Sequence, residues 1–354
     1  MSQEQSLPPA VAERVREAMQ SGQVPGIVLA VARGHEPTRY LVAGTDAGGA
    51  PLAADTLFLV ASITKLATAL AALRLVDAGA LELDAPLSRF LPDAASAQQG
   101  VSLRSLLAHT SGLPTDIPPD EAPYAPDLSW DGLRRGCLAT PLEAPPLTRV
   151  QYSNVGYGLA AMLVEGVTGK PFAQALQQLV LGPLRIEGYL GATPPRPVAA
   201  VANVRGRHAG TELEPFNSDF YRGLGMPWAG LITTADGALA LARAFAGEPP
   251  GFLRPRTREA AISDQSSGLS GGFAPPLMWD PCPWGLGPDL RGAKTPHWAP
   301  AEAGPDSFGH SGASGCLAWA SPSANVAWAL IGARTADSGW LLRRSPAIGA
   351  ALLE

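Results

Sequence analysis

Ser62 and Lys65 stand three residues apart in the stretch FLVASITKLATALAALRLVDAG, residues 58–79. On a helix, residues at that spacing share a face, one turn from each other. A hydroxyl at a helix start lies near free backbone N–H groups, where negative charge is favoured. A lysine one turn on can take the hydroxyl's proton if burial weakens its hold on its own. Ser-x-x-Lys is therefore the arrangement of an acyl-transferring nucleophile; the bland alternative makes Ser62 a helix cap. Tyr152 and Asn154 flank Ser153 just ahead of an apolar helical run. A phenol of depressed pKa can accept the serine's proton and pass it to a leaving group. An amide such as Asn154 both donates to and accepts from a substrate amide or carbonyl. A core tyrosine beside a capping asparagine is the other reading. Gly309, His310, Ser311 and Gly312 form a third cluster, read on the penultimate strand. Glycines there let a backbone approach a ligand and an N–H reach an oxyanion. His310 with Ser311 would hydrogen-bond a carboxylate or ester oxygen, whereas a Gly-rich bulge with a satisfied histidine explains the same residues.

The elements that must hold these residues follow from periodicity and turn chemistry. Leu66, Leu70, Leu73 and Val76 recur at helical spacing as a buried stripe, and Gly79 lies just past the end. A helical pattern covers Pro8 to Gln20, and GIVLAVARG (26–34) reads as a buried strand with RYLVAGTD as its hairpin partner. Helices are expected from Ser102 to Leu107, Trp130 to Leu138, within Gln151 to Lys170, over Phe172 to Leu181, and after a Thr234 cap. Residues 194–227 are irregular with one hairpin. SFGHSGASGCLAWASP and ANVAWALIGAR read as two strands joined by a turn at Ser321–Ala324, before a last helix from Asp337 to Leu353. Strands at both ends around a helical middle predict an α+β, α/β-sandwich architecture. Residues 1–78 and 280–354 would form a discontinuous α/β sheet domain, with 79–279 a mostly helical insert and the active site between them.

Composition narrows the function. The chain has 354 residues, 46% of them apolar and 16% charged, which is a globular and not a disordered balance. A net charge of −5 without a Lys/Arg stripe argues against nucleic acid. No apolar run approaches membrane-spanning length. The start, MSQEQSLPPA, lacks the basic and apolar regions of a secretory leader, and the three scattered cysteines fit reduced thiols, so a cytoplasmic protein is expected. Five scattered histidines include no His-Glu-x-x-His, so neither a catalytic metal nor a cofactor is expected. His109 reads as a structural histidine under the floor of the site. Residues 166–170 lack the first glycine of a P-loop, and 309–313 fall one residue short of a nucleophile elbow.

Taken together, Ser62-Ile-Thr-Lys65, Tyr152-Ser-Asn154 and His310-Ser-Gly312, in this order, resemble the serine β-lactamase and penicillin-binding-protein superfamily. The branch is that of class C β-lactamases, D-alanyl-D-alanine carboxypeptidases and family VIII carboxylesterases. LVDAGALELDAPLSRFLPD, LRSLLAHTSGLP, YSNVGYGLAAMLVEGVTGKPF, AGLITTADGALALARAFAG and FGHSGASGCLAWASP extend the likeness over nearly the whole chain. The resemblance implies a β-lactamase/transpeptidase-like fold, with a five-stranded antiparallel sheet flanked by helices plus a mostly helical unit. It implies Ser62 as nucleophile, Lys65 as activating amine, Tyr152 as general base and then acid, and Asn154, His310, Ser311 and Gly312 as substrate contacts. The oxyanion hole would be the backbone N–H groups of Ser62 and Ala313. Class C β-lactamases usually carry Lys-Thr-Gly where this chain has His310-Ser311-Gly312, and a neutral imidazole cannot replace an ammonium that meets a lactam's carboxylate. A serine hydrolase for a small-molecule ester, amide or lactam is expected, with carboxylesterase ahead of D-amino-acid peptidase and β-lactamase. An inactive ligand-binding or assembly protein is the alternative of another class.

Overall fold

The computed structural model describes residues 7–354. The first six residues, part of the stretch read as leaderless and of the first sheet segment, lie outside the described residues. The main sheet runs antiparallel in the order Arg39–Gly44, Gly26–Arg33, Val326–Gly332, Cys316–Ser321, Phe308–Gly312, Asp289–Leu290. Asp289–Leu290 is only two residues long, so five strands of five to eight residues carry the sheet. The expected hairpin forms, with Ile27 facing Ala43 and Val31 facing Arg39. Gly26–Arg33 then pairs with Val326–Gly332 from Ile27–Gly332 to Arg33–Val326.

Strand geometry sends alternate side chains to opposite faces. Ile27, Leu29 and Val31 pack with Trp328, Leu330, the first helix Pro9–Gly22 and the last helix Trp340–Leu353. Val28, Ala30 and Ala32 face the other way, onto Thr64–Asp77 and Ala235–Ala246. Both faces of these strands are thus covered, which is why GIVLAVAR and VAWALIG are apolar without alternation. Arg39–Gly44, at the edge, alternates half-buried and exposed residues.

Two small three-stranded sheets aim the site. Phe58–Leu59 pairs with Leu231–Thr233 and leads straight to Ser62. Val150–Gln151 pairs with Gly271–Gly272 and leads to Tyr152.

Several expectations are corrected. The stretch SFGHSGASGCLAWASP is two strands, Phe308–Gly312 and Cys316–Ser321, so His310 sits on the third strand from the end. Gly315 makes that turn at φ +94, where an added Cβ would lie 1.9 Å from the Arg334 carbonyl oxygen. Thr64–Asp77 carries no simple stripe, because twelve of its fourteen residues are buried. Among the described residues 194–227 no hairpin forms; the segment makes isolated bridges (Leu57–Val198, Ala202–Arg334) and the short helix Asp219–Gly223. Among the described residues no helix is long and apolar enough to cross a membrane.

Candidate active site

Ser62 occupies a 3-10 turn, Ala61–Ile63, between Phe58–Leu59 and Thr64–Asp77, and its hydroxyl caps no helix. Ala61 adopts φ +43, a left-handed conformation that costs a non-glycine residue on the order of 1–3 kcal/mol. Neighbours hold it there. The Thr64 hydroxyl donates to Ala61 O at 2.6 Å and accepts from Leu231 N–H at 3.0 Å. The Cys316 thiol donates to Val60 O at 3.1 Å, tying the turn to the 308–321 hairpin. Gly312 was expected to admit a ligand, but an added Cβ there would lie 2.5 Å from both Val60 O and Cys316 Sγ. Its missing side chain makes room for the Ser62 turn.

Lys65 is wholly buried, and Nζ lies 3.3 Å from Ser62 Oγ, 2.7 Å from Asn154 Oδ1 and 3.0 Å from Trp228 O. Burial pushes its pKa well below that of an ordinary lysine, against a smaller upward pull from Asp116. In its neutral form the amine would have two N–H bonds for the Asn154 and Trp228 oxygens and one lone pair facing the Ser62 hydroxyl. Asn154 is oriented in turn by its Nδ2, which donates to Asp116 Oδ1 at 2.6 Å.

The Tyr152 ring lies 4.6 Å from Lys65 Nζ, but the phenol does not have the depressed pKa expected of it. Burial raises it, and the hydroxyl makes no hydrogen bond among the described residues; Ser62 is near enough to favour the ionised form but not in bonding geometry. As a neutral acid it suits proton donation better than abstraction. Beneath it lies His109, whose ring centroid is 4.6 Å from that of Tyr152. Its Nδ1 accepts from Ser153 N–H at 3.0 Å, and burial lowers its pKa well below the usual value.

His310 was expected to reach substrate; its side chain is buried, 1% exposed, with the ring 5.9 Å from that of Tyr152. Nδ1 lies 2.6 Å from Ser311 O and so carries the proton, while Nε2 has no hydrogen-bond partner among the described residues. Burial lowers its pKa to about 4, so the ring is neutral at neutral pH. Ser311, one residue on, remains 9% exposed. The N–H groups of Ser62 and Ala313 donate to no turn or loop carbonyl among the described residues. Such a pair is free to receive an oxyanion.

A cavity of about 360 Å³ opens beside Ser62, Asn154 and Ala313. Its walls are apolar, with Ile117, Leu128, Leu133, Phe216, Met226 and Trp228 among them. Trp228 lines it, whereas Trp284 packs on His109 and Trp279 on Trp298. Asp116 and the Trp228 carbonyl are site features that sequence reasoning missed. Asp116 lies only two residues past the block LRSLLAHTSGLP, the one signal that pointed to it. Among the described residues no group of three or more His, Cys, Asp or Glu could hold a metal.

A model of the beta-lactamase family matches residues 11–344. The chain belongs to the beta-lactamase family. Esterase EstB of Burkholderia gladioli is 31% identical over 290 residues, covering 71% of this chain and 72% of that one. The D-alanyl-D-alanine-carboxypeptidase/endopeptidase AmpH of Escherichia coli K12 is 32% identical over 137 residues, 37% of this chain and only 35% of its own. A penicillin-binding protein homolog from Caulobacter crescentus superposes with a TM-score of 0.75 at 26% identity, covering 98% of each chain. A beta-lactamase from Mycobacterium bovis, Mb2281c, does so at 0.67 and 26%, covering 96% of this chain and 98% of its own. This beta-lactamase-family chain is thus a hydrolase of that superfamily, and its antiparallel-sheet fold is the one the resemblance implied.

Proposed function

We propose that the protein is a carboxylesterase working through an acyl-enzyme on Ser62. The observation that carries the reading is the triple contact of Lys65, whose two carbonyl acceptors leave the amine lone pair to the nucleophile. Lys65 takes the Ser62 proton as Oγ attacks the ester carbonyl, and the Ser62 and Ala313 N–H groups receive the oxyanion. Tyr152 hands a proton to the departing alkoxide and recovers one from Lys65. Water then attacks the acyl-enzyme, giving one proton to the same pair, which returns it to Ser62 Oγ as the acyl C–O bond breaks and the carboxylic acid leaves. An ester asks for no cation, and among the described residues neither lysine nor arginine lines the cavity. The likeness to EstB supports the same choice.

Titration with a fluorophosphonate tests it. The wild type should be labelled stoichiometrically at Ser62, and Ser62→Ala should lose both labelling and ester turnover. A protein that stays unlabelled while binding ligands would be the inactive member of the fold instead.

A further inference from the structure

We infer that His109 is a positioning residue for Tyr152, holding the chain on both sides of the phenol so that its hydroxyl stays aimed at the leaving group. This deepens the proposed mechanism and rests on Tyr152 as the proton donor. The helix Leu103–Leu107 ends in a Schellman motif: Thr110 N–H donates to Ser105 O at 2.9 Å and His109 N–H to Leu106 O at 3.4 Å. His109 is the left-handed residue of that motif, at φ +57, a position where glycine is usual. A glycine would end the helix with less backbone strain. The ring adds a second cost, because Nδ1 accepts a hydrogen bond and Nε2 therefore carries the proton. Nε2 is buried with no hydrogen-bond partner among the described residues. Local stability does not account for a histidine here.

Its contacts with residues 150–153 do. The N–H groups of that segment alternate between two neighbours. Val150 and Tyr152 donate to Ser270 O at 2.9 Å and Gly272 O at 3.0 Å. Gln151 and Ser153, on the other edge, both donate to His109, the first to its carbonyl at 2.8 Å and the second to Nδ1 at 3.0 Å. Main chain and side chain of one residue thus flank Tyr152. The imidazole also lies against the phenol ring, centroids 4.6 Å apart, and is backed by Tyr157 at 5.2 Å and Trp284 at 4.8 Å. Burial keeps that imidazole neutral, so Nδ1 remains an acceptor. The Tyr152 hydroxyl makes no hydrogen bond among the described residues, so the aim of the phenol comes from its backbone and from the rings around it. Catalysis by a proton donor is sensitive to such aim, since a displacement of about 1 Å can cost on the order of 10²-fold.

The test uses two esters of one acid, methyl and p-nitrophenyl 3-phenylpropanoate, and reads the ratio of their kcat/KM values. Methoxide must be protonated as it leaves, whereas p-nitrophenolate departs without a proton, so the ratio reports the donor and not general damage to the site. His109→Phe keeps a ring and loses the acceptor; His109→Asn keeps an acceptor at the δ position and suits the left-handed backbone. His109→Phe should lower the methyl to p-nitrophenyl ratio about tenfold, and His109→Asn should hold it within about threefold of the wild type. In a Tyr152→Phe background, His109→Phe should change the ratio no further, because no donor is left to misplace. His109→Gly, which relieves the backbone and equally lacks the acceptor, gives the same comparison where the Phe variant does not fold. A ratio left within about twofold by the acceptorless variants, equal falls in ratio for Asn and Phe, or a further fall in the Tyr152→Phe background overturns the inference. Those results leave Tyr152 as the donor so long as Tyr152→Phe itself lowers the ratio. A Tyr152→Phe ratio equal to that of the wild type overturns the donor reading, and the inference with it.

Discussion

Burial sets the charge of the ionisable side chains behind Ser62, and two consequences are measurable. Tyr152 is a neutral phenol whose pKa burial raises, so its contribution grows with the leaving group's need for a proton. Tyr152→Phe should lower kcat by about 10²–10⁴-fold for alkyl esters or amides. It should matter much less for p-nitrophenyl esters, whose leaving group departs unprotonated; steady-state rates on both classes give the comparison. His310 supplies the second. Its pKa is lowered from 6.5 to about 4 in the folded chain. Between those values the unfolded chain binds the extra proton, so stability falls as pH drops through 6.5 toward 4. The loss is on the order of 3 kcal/mol, and His310→Phe should remove it. Urea midpoints of both proteins from neutral to mildly acid pH would show the wild type losing stability relative to His310→Phe as the pH falls. Ser62, Lys65, Tyr152 and Asn154 were legible as candidates because each carries its chemistry in local spacing. Asp116 was not, since only closure of the 109–116 loop onto Asn154 brings it to the site.

At the scale of elements, Ser153 is the hinge pin of the helix Asn154–Thr168. Its hydroxyl accepts from Gly156 N–H at 3.0 Å and donates to Pro114 O at 2.6 Å, while its N–H donates to His109. One side chain therefore caps the helix and ties it to the loop that carries Asp116. Ser153→Ala should cost about 1–2 kcal/mol of stability. It should also lower kcat, because Tyr152 and Asn154 flank it; thermal melts and ester kinetics on one preparation separate the two effects. Capping chemistry was the most readable layer of the sequence, with Thr234 accepting from Gly237 N–H and Ser102 forming a full capping box. The turn at Ala313–Gly315 was not readable, because a Gly/Ser/Ala-rich run has no period to mark where one strand stops. Nor was the all-round burial of Thr64–Asp77, since alanines and threonines between the leucines look polar-neutral in sequence yet pack against neighbours on every side.

For the whole molecule, the charge of the cleft decides what enters. With a neutral imidazole at His310 and, among the described residues, no lysine or arginine along the cavity, a cephalosporin's carboxylate meets uncharged donors there. Hydrogen bonds to charged partners are roughly twice as strong as neutral ones. Short p-nitrophenyl esters should therefore exceed a chromogenic cephalosporin in kcat/KM by at least about tenfold, measured side by side on one enzyme stock. The sheet was readable from its apolar runs, but not its strand order, which joins segments some three hundred residues apart.

That long-range pairing has a bearing on the chain's birth. Gly26–Arg33 leaves the ribosome some three hundred residues ahead of its partner Val326–Gly332. Over that interval the strand GIVLAVAR has one edge without its native partner, and its two apolar faces lack the later Cys316–Ser321 hairpin arm and the helix Trp340–Leu353. An unpaired apolar edge is what other nascent chains adhere to. The Ser62 turn waits as well, because Cys316, which pins Val60, is itself a late residue. Ser62 is made long before Cys316, and its turn takes its final shape only when the sheet closes.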